Sequence, residues 1–160
     1  MSTEAHSHDS AVPAGAELNR LAISATTHCL TGCVIGEVAG IFIGTALGWS
    51  NLGTIALAVG LAYFFGFGLT SLPLVRAGLA VSAIVPIALA ADTVSITIME
   101  VIDNVFVVLM PGAMDAHLGE PLLWASIAGG FVVAYPFAFL ANRAMLKRGK
   151  GHAVVHEYHH

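Results

Sequence analysis

Charge is what this chain most lacks. Lys, Arg, Asp and Glu make up 10% of its 160 residues, while 57% are hydrophobic and the mean hydropathy is +0.83. Soluble domains carry roughly 25% charged residues. Too few polar side chains exist here to face water, so the expected solvent is lipid. Cysteine is scarce as well: Cys29 and Cys33 are the whole complement, and both fall in the first apolar segment. That excludes the disulfide framework of a small exported domain. Catalytic signatures are also missing. There is no phosphate-cradling GxxxxGK[ST] and no GxSxG elbow, and His28 alone among the histidines lies in an apolar segment, which disfavours a bis-histidine haem. The chain is read as a non-enzyme with no nucleic-acid partner.

Apolar runs are what the sequence has in abundance. About 20 such residues cross a bilayer as a helix, and four segments qualify: 21–47, 52–72, 77–110 and 121–140. The first twenty residues lack the basic n-region of a signal peptide, and the apolar run after them is too long for one, so it is read as an uncleaved span. The third segment is long and contains Pro86, so 77–85 is expected to be a kinked or interfacial lead-in. Short connections make neighbours antiparallel. The expectation is an all-α, four-transmembrane-helix bundle flanked by a polar arm (1–20) and a basic, then His-rich tail (144–160).

All six basic residues fall on one side of this topology: Arg20, Arg76, Arg143, Lys147, Arg148 and Lys150. The positive-inside rule then puts the N-terminus, the 2–3 loop and the C-terminus in the cytoplasm. The expected location is the cell's inner (cytoplasmic) membrane, as a multi-pass protein.

Function is expected where acids enter the apolar segments. Glu37 lies in the first, and Asp92, Glu100 and Asp103 in the third. Each costs at least ~2.5 kcal/mol on insertion scales and faces a bundle interior or cavity. On a helical wheel Asp92, Met99, Asp103 and Met110 form one stripe, with Thr93, Thr97, Glu100 and Asn104 beside it. Val94, Ile98, Val101, Val105 and Val108 make up the apolar remainder. In the first segment Cys29, Cys33 and Glu37 follow one another at i, i+4 with His28 alongside. Thiolate, imidazole, thioether and carboxylate are ligand types for Cu(I), Zn(II) and related ions. A candidate metal set follows: His28, Cys29, Cys33, Glu37, Asp92, Met99, Glu100 and Asp103. Counting ~1.5 Å per residue from the cytoplasmic side matches Asp92 to the level of Cys29, and Met99 or Glu100 to that of Glu37.

Gly32, Gly36, Gly40, Gly44 and Gly48 recur every fourth residue, a ridge that lets another helix approach closely within the bundle or across a homo-oligomer seam. His6 and His8 in the arm, and His152, His156, His159 and His160 in the tail, are candidates for recruiting metal from solution. Met110, Met114, Asp115 and His117 sit together near the 3–4 loop and are read as a turn.

The motifs TTHCLTGCxIGE, ALGWSN, ADTVSIxxMExxDN and RGxGHAVVH together resemble a bacterial and archaeal family of small four-span membrane proteins. That family is a domain of unknown function, sometimes joined to heavy-metal-associated domains. The resemblance covers nearly the whole chain and implies an architecture and a leaning towards metals, but no established site residues. The leading expectation is a carrier or channel for a transition-metal ion, copper or zinc. The alternative is an accessory subunit of a larger membrane complex, and a proton or sodium path along Thr93, Thr97, Glu100 and Asn104 is a further one.

Overall fold

The computed structural model describes residues 15–76, 78 and 80–148. Four long helices account for most of them: α1 (Gly15–Ala46), α2 (Asn51–Arg76), α3 (Val81–Leu109) and α4 (Pro121–Lys147), with a short 3-10 turn at Ala113–Asp115. No strand occurs among the described residues. The helix limits follow from local chemistry. Gly48 takes a left-handed φ of 66°, and the Trp49 amide returns to the Gly44 carbonyl at 2.9 Å, the six-to-one bond that closes a helix end. Two residues on, Ser50 Oγ accepts the Gly53 amide at 3.3 Å and caps α2. Pro121 occupies the first turn of α4, where its missing N–H leaves nothing unsatisfied.

Helices α1, α4 and residues Asn51–Leu72 of α2 are long and apolar enough to cross a membrane, which makes this a multi-pass membrane protein. Their outward faces agree, with Phe42, Phe64, Val132 and Phe137 all more than half exposed to the surroundings or at that mark. Helix α3 is different in kind, since it carries Asp92, Glu100 and Asp103. It starts at Val81 rather than 77, after an extended Ala80, and runs helically through Pro86. Helix α4 extends beyond the expected 140 to Lys147.

The helices alternate in direction, so both helical ends of the chain meet at one end of the bundle, where Leu18 and Ala22 of α1 pack with Leu146 of α4. Arg20, Arg76, Arg143, Lys147 and Arg148 all lie towards this end; Lys150 is outside the described residues. The α1–α2 turn and the α3–α4 loop form the opposite, loop end.

The glycine ridge has its partner inside the chain. A Cβ added to Gly32 would come within 2.7 Å of the Gly66 Cα, and those at Gly36 and Gly40 would collide with the backbone of Ala62 and Ala58. Gly44 is met by Thr54. Helix α2 therefore lies against the ridge along most of its length, the close approach that small residues permit. Because the ridge is filled by α2, it no longer argues for a homo-oligomer seam.

Candidate functional site

Cys29, Cys33, Glu37, Asp92, Met99, Glu100 and Asp103 are all buried, while His28 is half-buried. One helix turn separates Cys29 from Cys33 and Cys33 from Glu37, so α1 aims all three into the bundle. The Cys33 thiol lies beside both Cys29 and the Glu100 carboxyl. Above it the Glu37 and Asp103 carboxyls face each other. The two cysteines are free thiols. Helix α4 covers the column with a glycine: a Cβ on Gly130 would lie 2.9 Å from the Asp103 Cγ and 3.0 Å from its Cα.

The register between α1 and α3 corrects the sequence expectation. Glu100 sits opposite Cys33 and Asp103 opposite Glu37, so α3 is displaced about one turn towards the helical termini from where its Pro86 implied. Counting the crossing from Pro86 assumed that the proline marks the membrane boundary, whereas α3 continues through it. The second polar stripe also divides. Glu100 is buried and Asn104 half-buried, but Thr93 and Thr97 are exposed, with the Thr97 hydroxyl donating to the Thr93 carbonyl at 2.6 Å and exchanging a hydrogen bond with Tyr63. The proton or sodium path along that stripe loses two of its four members. Val94, Val101, Val105 and Val108 are exposed, as their place on the wheel predicts.

Apart from the Cys33 thiol for Glu100, and each other for Glu37 and Asp103, neither oxygen of Glu100 or Asp103 nor Glu37 Oε2 has a hydrogen-bond partner among the described residues. Buried polar groups are nearly always hydrogen-bonded, so three buried carboxyls whose partners are only one another and a thiol are unusual. The arrangement is open-chain rather than caged: among the described residues no three His, Cys, Asp or Glu side chains converge as a metal-ligand group. The tail histidines His152, His156, His159 and His160, with His6 and His8 of the arm, lie outside the described residues. Met114 and Asp115 belong to the 3-10 turn, in line with the turn expected there.

A polar hub that the sequence did not announce closes the column towards the helical termini. Asn142 of α4, 1% exposed, donates through Nδ2 to Thr26 Oγ1 at 2.9 Å and to Ser95 Oγ at 3.0 Å. It ties α1, α3 and α4 together. A single Asn near the end of an apolar helix gives no periodic signal, which is why it escaped notice. Interhelical hydrogen bonds in membrane proteins average about 0.6 kcal/mol each. Asn142→Leu, which removes two, should therefore lower stability by about 1–2 kcal/mol, seen as a lower midpoint of thermal unfolding in detergent. An unchanged midpoint would mean that the hub is a bystander.

Three helices apolar enough to span a membrane, packed with a fourth that carries buried acids, together define a multi-pass membrane protein. Residues 19–151 match the family described as Domain of unknown function (DUF4396), and the chain belongs to that family. No curated protein and no solved structure matches it.

Proposed function

We propose that the protein is a membrane carrier or channel for a cation, with a transition-metal ion, copper or zinc, as the favoured substrate. The observation that carries this reading is the set of buried carboxyls of Glu37, Glu100 and Asp103, which have no basic partner among the described residues and meet only one another and Cys33, beside a pair of free thiols. Intramembrane acids are expensive and mark ion and proton pathways. Here the five described Lys and Arg residues lie towards the other end of the molecule, so a mobile cation or proton supplies the compensating charge. Thiolates extend the donor set towards soft ions. An open chain of donors suits passage, since an ion must leave each position as readily as it arrives. In this reading α3 is the fourth span and is sheltered from lipid on its acidic face. The basic terminal end faces the cytoplasm, as the positive-inside rule requires.

The test is flux into proteoliposomes loaded with a metal-sensitive dye, using Zn²⁺ outside and, under reducing conditions, Cu⁺. Wild-type protein should carry one of them at least tenfold faster than protein-free vesicles. Cys29→Ser/Cys33→Ser should retain the fold and lose that flux. Absence of flux for both ions, or full flux in the double variant, would sink the metal reading.

A further inference from the structure

At the loop end, between the α1–α2 turn and the α3–α4 loop, lies a cavity of about 410 Å³. Its mouth carries Asp115 and His117, both exposed. Thr45, Thr54 and Asn104 line its walls, and Glu37 stands at its inner end. No lysine or arginine lines it. The loop is held over the mouth by named bonds: Asn51 Nδ2 donates to the Met114 carbonyl at 2.8 Å, and Trp124 Nε1 to the Leu118 carbonyl at 2.8 Å. The mouth is therefore built by both hairpin turns.

Glu37 distinguishes this cavity from an ordinary surface cleft. The residue is 6% exposed, no lysine or arginine lines the cavity beside it, and it is at once a wall of the cavity and the neighbour of Asp103. A carboxylate in that position, with hydroxyl and amide oxygens around it, presents acceptors and no cationic donor. The volume also fits. Six waters at ~30 Å³ each occupy ~180 Å³, so an octahedral hydrated ion enters without shedding its shell. An ion that keeps its water shell needs only one carboxylate from the wall, with Asp115 and His117 drawing cations to the mouth.

We propose that this cavity is a binding vestibule for a hydrated divalent transition-metal cation, with Glu37 as its inner ligand and Asp115 and His117 as its rim. The proposal rests on the carrier reading for its purpose but has its own observable. Trp49 lines the vestibule, whereas Trp124 packs on Phe42 with ring centroids 6.1 Å apart and lines a separate groove on α4. Cu²⁺ quenches indole emission at short range, so Trp49 reports on the vestibule even where histidines elsewhere in the chain also bind metal.

The experiment is titration of the full-length protein in detergent with Cu²⁺, followed by tryptophan emission. Saturable quenching is expected in wild type and should lose its larger part in Trp49→Phe, the remainder coming from Trp124, whose indole is bonded to the loop at the mouth. Glu37→Gln should weaken the apparent affinity at least tenfold, and Asp115→Asn/His117→Gln should weaken it two- to fivefold. Linear, non-saturating quenching, or an affinity unchanged in Glu37→Gln, overturns the vestibule. The two proposals separate cleanly: flux without saturable vestibule quenching defeats this inference alone, and saturable quenching without flux of any ion defeats the carrier reading alone.

Discussion

Gly36→Leu is expected to yield a chain that cannot hold α1 against α2, purifying as aggregate or with a thermal midpoint more than 10 °C below wild type. The obstacle at Gly36 is not a side chain that can swing aside. A Cβ there runs into the amide nitrogen and Cα of Ala62 and the carbonyl carbon of Leu61, so α2 itself must move. Ordinary overpacking costs about 1–3 kcal/mol, and displacing a helix backbone belongs at or above the upper end. The separation would also propagate, because Gly32 and Gly40 make the same kind of approach on either side. Gly60→Leu and Gly68→Leu are the controls. Both glycines are exposed with nothing within 4 Å of an added Cβ, and replacing glycine in a helix by leucine gains up to ~1 kcal/mol of intrinsic propensity. Detergent size-exclusion and a thermal melt on the three variants decide the matter. A Gly36→Leu protein melting with wild type would show that the two helices do not touch there.

Asp103→Asn should do two opposite things, making the protein more stable and at least tenfold less able to move its ion. Asp103 is fully buried, and its carboxyl meets that of Glu37, an acid against an acid. An amide of the same shape removes one of two adjacent acids and supplies N–H donors to Glu37 Oε2. A gain of about 1 kcal/mol corresponds to a rise of roughly 2–4 °C in midpoint for a chain of this size. Function should fall because one of the stacked anionic positions is gone. Stability given up for chemistry is the mark of a functional site, so thermal melts and proteoliposome flux must be measured on the same preparation. A variant that loses stability and keeps its flux would make Asp103 a structural residue.

Much of the architecture was legible because it rests on composition and periodicity. The breaks between the apolar segments 21–47, 52–72 and 121–140 mark the turns, Pro121 the start of α4, and the valines of α3 its outward face. The inward direction of Cys33 and Glu37 followed from i, i+4 spacing, and that of Glu100 and Asp103 from adjoining stripes on the wheel and the cost of exposing an acid to lipid. Register did not, because wheel geometry fixes angle but leaves axial position to packing, and Pro86 was a misleading ruler. Thr93 and Thr97 were misplaced for a related reason. A threonine satisfies its hydroxyl on the preceding turn of its own helix, as Thr97 does, and so tolerates an outward position that an acid does not. The Asn142 hub and the vestibule were invisible because each joins residues from distant parts of the chain, and no local pattern records such meetings.

The glycine ridge has a consequence for how the molecule can deform. It welds α1 to α2, and α3 is likewise packed mainly on α4, while α1 and α3 touch far less. The molecule is thus two stiff leaves, and the acids and thiols line the crease between them. Parting the leaves would break the packing of α1 on α4 and of α2 on α3, and would separate Glu37 from Asp103 and Cys33 from Glu100. The crease is tied at both ends, by Asn142 and by Arg143 on Asn19 towards the basic end, and by Asn51 on the Met114 carbonyl at the loop end, so it opens only where one of these ties is given up.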